Sequence, residues 1–221
     1  MIYLPTIASA GYYIPAALTP AFLFVGGIFL ILATYAGYLA GKSAATRWEG
    51  NVPKISTLSA LLVCGLTIAA LFAYGVSMTT IQIIAASCVF VYASYQDIKT
   101  READDWIHVL LLMIALVGHS ITDLFWMGFS CAAIFGIMLF TASVSNGKSV
   151  GGADIKFAAA TSVAFGLESA LVGTFVGTLI AVIHNAIRKK MGKPDGFPLV
   201  PYLSIGYTLA FFIKAITAIA V

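Results

Sequence analysis

Apolar residues run in long stretches along this chain, at about 20–41, 55–76, 79–97, 107–121, 124–145, 154–167, 168–187 and 199–220, with charged and turn residues between them. A helix needs roughly 20 mostly apolar residues to cross a bilayer. The pattern therefore predicts an all-α fold, a polytopic membrane helix bundle of about eight transmembrane helices. The sixth stretch is the short one, and an apolar run of about 10–14 residues also suits a re-entrant or interfacial segment.

Composition removes the soluble alternatives. The chain has 221 residues, 61% hydrophobic and 10% charged, with a mean hydropathy of +0.99. Soluble domains have about 45–50% apolar and about 25% charged residues, so there is too little polar surface here to cover a globule in water. The net charge of +3 is scattered over short loops and forms no basic face, which excludes a nucleic-acid partner. Cys64, Cys88 and Cys131 sit singly inside apolar runs, so neither a disulfide framework nor a zinc site is expected. Met1 to Pro20 contains no Lys or Arg. It lacks the basic start of a cleaved signal peptide, and the first span is expected to act as its own insertion signal. Tyr3, Tyr12 and Tyr13 read as an interfacial aromatic belt.

Charge sets the sidedness. If all eight stretches cross with the N-terminus outside, eleven of the twelve basic residues fall in the inner connections. They are Lys42, Arg47, Lys54, Lys99, Arg101, Lys148, Lys156, Arg188, Lys189, Lys190 and Lys193. Lys214, in the last span, is the exception. Because cytoplasmic loops carry the Lys and Arg excess, both termini are expected outside. A non-crossing sixth segment would put Arg188 to Lys190 on the wrong side, so it is expected to cross as a short helix. The repeat of small residues at Ser169, Gly173, Gly177 and Ala181 reads as a close-packing stripe.

Acidic residues near a bilayer are expensive, so their placement is informative. Asp97 ends the third span and Asp154 opens the sixth, at one cytoplasmic boundary. Each has a plain explanation. Asp97, Arg101 and Asp105 would form an i, i+4, i+8 ladder on a continued helix, and Asp is a favoured N-cap at a position such as 154. Together, two carboxyls at one depth also satisfy the needs of water activation, in which one ionised acid takes the proton of water and a protonated partner donates to the peptide carbonyl. Gly151 and Gly152 permit unusual dihedrals, and with Ala153 they leave room for an extended substrate beside Asp154. The histidines, His108, His119 and His184, have no metal-ligand spacing and read as packing or interface residues.

Three ordered stretches carry a resemblance. Gln96-Asp97-Ile98-Lys99-Thr100-Arg101-Glu102-Ala103-Asp104-Asp105-Trp106 is similar to an archaeal Asp-x-Lys-x-Arg-Glu-Val-x-Asp pattern. Gly151-Gly152-Ala153-Asp154-Ile155-Lys156 is similar to Gly-x-Gly/Ala-Asp-x-Lys, and Phe197 to Tyr207 resembles the Pro-Phe-x-Pro-x-x-x-x-Gly opening of a last helix. In this order they resemble the type IV prepilin and preflagellin peptidases, membrane aspartic proteases. The resemblance implies a six-helix catalytic core at 79–221 and an N-terminal region, 1–78, with two extra transmembrane helices. It implies Asp97 and Asp154 as the catalytic pair, with Gly151, Gly152, Ala153 and Lys156 as supporting or substrate-binding residues. Glu102, Asp104 and Asp105 would attract a basic leader. The implied partners are precursor proteins with a pilin-like N-terminal signal, cleaved at the cytoplasmic face of the cell membrane just before their hydrophobic helix, and membrane lipid. No cofactor and no metal are expected. Two departures stand out: Ala153 replaces the second glycine of the strict motif, and the Cys-x-x-Cys loop of many bacterial members is absent, so no zinc-stabilised loop or methyltransferase activity is expected.

Other classes fit the same residues less well. Presenilin-like proteases need a Pro-Ala-Leu motif that Pro198-Leu199-Val200-Pro201 only loosely matches, and Gly128-Phe129-Ser130-Cys131 is incomplete as a rhomboid motif. A small proton- or ion-coupled transporter using Asp97 and Asp154 is the alternative from another class. Transporters place ionisable groups near mid-membrane and often show internal repeats, whereas here both acids lie at one edge and no repeat is visible.

Overall fold

The computed structural model describes residues 20–145, 147, 150–191 and 197–219. Tyr3, Tyr12, Tyr13, Lys148 and Lys193 lie outside the described residues. The described chain is helical, with α1 Pro20–Arg47, α2 Val52–Tyr74, α3 Met78–Thr100, α4 Asp105–Leu116, α5 Ile121–Val144, α6 Gly152–Lys190 and α7 Val200–Ile219. Five helices, α1, α2, α3, α5 and α6, are long and apolar enough to cross a membrane. The outward faces fit lipid, with Phe24, Phe125 and Phe140 each at least 70% exposed. The protein is a multi-pass helical bundle.

The sixth and seventh predicted segments are the two arms of α6. Gly166 interrupts it at φ 74°, ψ 163°, a region that is essentially glycine-only. The chain reverses there. The buried Tyr207 hydroxyl donates to the Ala158 carbonyl at 3.1 Å and bonds the Thr174 hydroxyl at 2.8 Å, yet those two residues would lie about 24 Å apart on a continuous helix. The arms, 152–165 and 167–190, therefore lie side by side.

The first arm is the centre of the molecule. Every residue from Phe157 to Phe165 is buried, because neighbours cover it on all sides. Phe90 of α3 meets Phe157 at 5.5 Å between ring centroids. Ser130 of α5 donates to the Ser162 carbonyl at 3.0 Å, α7 contributes Tyr207, and Lys156 pairs with Asp105 of α4 at 2.7 Å. Protein rather than lipid surrounds this arm, so its length is not held to the bilayer thickness.

The stripe of small residues does pack. An added Cβ on Gly173 would meet Tyr207 at 2.7 Å, and one on Gly206 of α7 would meet the Gly173 carbonyl oxygen at 2.2 Å. The second arm and α7 touch through backbone, the contact that small residues permit.

Other boundaries shift for local reasons. α4 is only 12 residues long, shorter than the predicted 107–121, and Gln82 of α3 donates to the Ile114 and Val117 carbonyls at 3.2 and 2.7 Å, which satisfies its C-terminal end. The ladder through Asp97, Arg101 and Asp105 does not form. Arg101 adopts a left-handed conformation, φ 62° and ψ 24°, and ends α3.

Candidate active site

α3 presents Asp97 to the core by simple periodicity. Ile83, Ala86, Phe90, Ala93 and Asp97 are all buried, at alternating intervals of three and four that keep one face of a helix inward. Asp97 is 6% exposed. A buried carboxyl needs partners, and the chain supplies them from both sides. The Val200 N–H, at the start of α7, donates to Asp97 Oδ2 at 2.9 Å. Free N–H groups and the positive end of the dipole make a helix start a natural place for a carboxylate. Pro201 in the first turn removes one of those N–H groups without breaking the helix. Arg101 donates its N–H to the Asp97 carbonyl at 3.0 Å, and its guanidinium charge acts on the Asp97 carboxyl.

Asp154 comes from the opposite direction. α6 starts two residues earlier than the sequence suggests, with Gly151 as the N-cap, so Asp154 is the third helical residue and not the cap itself. Its Oδ2 reaches back to accept the Gly151 N–H at 2.9 Å, half of a capping box. Gly151 has φ −84°, and neither it nor Gly152 has positive φ. The expectation of unusual dihedrals is thus corrected: the use of glycine at 151 is spatial, since a Cβ there would come within 3.2 Å of Asp154 Oδ2. Around Gly152 nothing lies within 4 Å of such a Cβ, and Ala153 is half-buried.

The two carboxyls are close enough to interact electrostatically. The Asp97 charge acts on the half-buried Asp154 carboxyl, across the gap between α3 and the first arm of α6. Their surroundings are anchored by ion pairs. Asp104 pairs with Arg47 at 3.0 Å and accepts the Trp106 indole N–H at 3.1 Å. Asp105 binds the exposed Lys156. Glu102 remains exposed in the α3–α4 turn.

Several supporting residues were not singled out in the sequence. Arg47 also donates to the Tyr92 hydroxyl at 3.0 Å, and the Tyr92 ring lies edge-on between Trp48 and Trp106, 5.2 and 5.1 Å away. These contacts tie the end of α1 to the α3–α4 turn. Gln96, itself buried, accepts the Asp104 N–H at 3.4 Å. A Gln beside the inward-facing Asp97 was a readable signal; a partner 57 positions earlier, as Arg47 is to Asp104, was not.

The described histidines are dispersed. His184 Nδ1 bonds the Tyr202 hydroxyl, His119 faces Asp123 at 3.5 Å, and His108 is buried with neither ring nitrogen paired. Among the described residues no group of three His, Cys, Asp or Glu is placed to hold a metal.

Residues 83–185 match the type IV leader peptidase family. The match spans just under half of the chain, which over that stretch is similar to the type IV leader peptidases. The matched stretch contains both Asp97 and Asp154 but stops short of α7, so the family pattern covers the two acids and not the helix start that hydrogen-bonds Asp97. No curated protein and no solved structure matches the chain.

Proposed function

We propose that the protein is a membrane-embedded aspartic endopeptidase that removes short basic leader peptides from pilin-like or archaellin precursors at the cytoplasmic face of the cell membrane. The observation that carries this reading is the electrostatic interaction of two carboxyls, Asp97 from the end of α3 and Asp154 from the start of α6, inside a stretch similar to the leader peptidases. One ionised carboxyl takes a proton from water as the water attacks the peptide carbonyl. The other, protonated, donates to the carbonyl oxygen. Two close like charges cannot both be held ionised at little cost, so such a pair shares one proton.

The supporting roles follow from position. Val200 and Gly151 fix the two carboxyls through their N–H groups. With Asp104 and Asp105 engaged by Arg47 and Lys156, Glu102 is the exposed acid that meets the basic leader. Gly152 and Ala153 keep the approach to Asp154 open. Residues 79–221 form the catalytic core in this reading, and 1–78 is an addition to it.

The test is cleavage of a precursor with a pilin-like signal by the purified chain in detergent. Asp97→Asn and Asp154→Asn should each lower kcat by at least about a thousandfold, as expected when one member of an acid–base pair is lost. Wild-type processing by either variant would sink the two-aspartate mechanism.

A further inference from the structure

Between α2, α3 and α7 lies an open groove of about 500 Å³. One wall is a leucine ridge on α2, Leu58, Leu62 and Leu66, spaced one helical turn apart. The facing walls carry Ser94 and Ile98 from α3 and Ile205 from α7. Most of this lining is apolar and open to the lipid side: Leu62, Ile98 and Ile205 are each about half exposed. Along α3 the lining extends from Ser87 to Ile98, twelve residues rising about 16 Å, three turns of helix.

We propose that this groove seats the apolar helix that directly follows the scissile bond of the precursor. The proposal rests on the leader-peptidase reading and deepens it by assigning a binding surface. Three observations choose this occupant. The first is continuity. Ile98 and Pro201, at one end of the groove, are the chain neighbours of Asp97 and Val200, which are hydrogen-bonded to each other. Neither acid lines the groove, but this end of it lies one residue along α3 from a candidate catalytic carboxyl, where a chain leaving the site toward the membrane enters it.

The second is the floor. Ser94 donates to the Ser204 hydroxyl at 3.4 Å and Thr208 to the Ser204 carbonyl at 2.8 Å, so the floor is made of short side chains already hydrogen-bonded. Small residues allow a second helix to approach closely in a membrane, an advantage an acyl chain does not use. The third is the chemical division of the substrate. Its leader is polar and its following segment apolar, and the molecule divides the same way: charged groups gather around the acids while the groove running away from them is apolar. The leucine wall belongs to α2, which lies outside the matched stretch. A substrate-holding role thereby falls to the N-terminal addition.

The test uses the purified full chain and two substrates. One is a precursor with leader, cleavage junction and apolar helix; the other is a short peptide ending just before that helix. Leu62→Trp and Ile205→Trp fill the groove. Each should lower the ratio of kcat/KM for precursor over peptide at least tenfold, chiefly through KM for the precursor. Leu61→Trp, on a neighbouring exposed position outside the groove, should keep the wild-type ratio. An unchanged ratio in both groove variants, or an equal loss in Leu61→Trp, overturns the proposal. Where a Trp variant does not fold, a benzoyl-phenylalanine photocrosslinker at Ile205 in an Asp97→Asn chain replaces it. Crosslinks confined to the first three turns of the precursor helix support the assignment, and crosslinks to lipid alone overturn it. If the unaltered chain cleaves neither substrate, the leader-peptidase reading itself fails and the groove assignment falls with it.

Discussion

A carboxyl such as Asp97 is costly to hold at 6% exposure, and the chain offsets the cost with backbone N–H groups at the start of α7, chiefly that of Val200 with Leu199 beside it, and one nearby cation, Arg101. Asp154 is held differently, by a neighbour too small to crowd it. Replacing that neighbour gives a sharp prediction. Ala fits φ −84° without strain, so Gly151→Ala should fold, but its methyl would sit 3.2 Å from Asp154 Oδ2. Because displacements below an ångström degrade a reacting geometry, kcat should fall on the order of tenfold with thermal stability preserved; a wild-type kcat would remove Gly151 from the positioning of Asp154. The pair also predicts a pH profile. Below the range in which the two carboxyls share one proton both are protonated and no base remains, and above it both are ionised and no acid remains. kcat/KM should therefore trace a bell whose two limbs belong to the pair and not to either residue. A profile rising steadily with pH would show that a single ionised acid is enough. At this scale much was readable: both acids stand out in a chain with so few charges. The hydrogen bond from Val200 was not, since 103 positions separate donor from acceptor.

Element positions follow from the apolar runs, but which face packs can be read only where lipid or water imposes a periodic pattern. α3 has one buried face and its stripe can be read, down to Asp97. The first arm of α6 is buried on every side, so it has no apolar face to find, and its short run looks too weak to span. The break after it depends on one residue. Gly166→Ala forces an L side chain into φ 74°, ψ 163°, at a cost of about 1–3 kcal/mol, and should lower the unfolding midpoint in detergent. Should the variant prove as stable as the parent, the reversal of α6 at this glycine would be wrong. α3 ends at Thr100, near the predicted 97, and does not continue into the helix that an Asp97–Arg101–Asp105 ladder would need. Arg101 is an ordinary helix former by propensity, and only the docking of the α3–α4 turn, through Asp104 to Gln96 and Arg47, requires it to turn left-handed.

Across the whole molecule, the charges divide by end. Arg47, Asp104, Asp105 and Lys156 meet in ion pairs near the two candidate catalytic acids. His119, in the α4–α5 connection, and Asp123, in the first turn of α5, lie together at the other end of α4, and Lys214 of α7 interacts with Glu168. If the first end is cytoplasmic, cysteines replacing Lys54 and Lys190 should be labelled by an impermeant reagent from the inside only, and one replacing Thr122 from the outside only. Labelling of Lys54 and Lys190 positions from opposite sides would overturn the eight-segment threading. Membrane residence, helical class and the scarcity that singles out Asp97 and Asp154 were determined by the sequence alone, because transfer of apolar and charged groups into lipid is a property of each residue and sums along the chain. Which acids interact, which N–H groups hold them, and that α2 walls a groove with α3 and α7 were decided only by the tertiary structure. Those relations join residues tens of positions apart, and nothing in a one-dimensional pattern sets their distance in space.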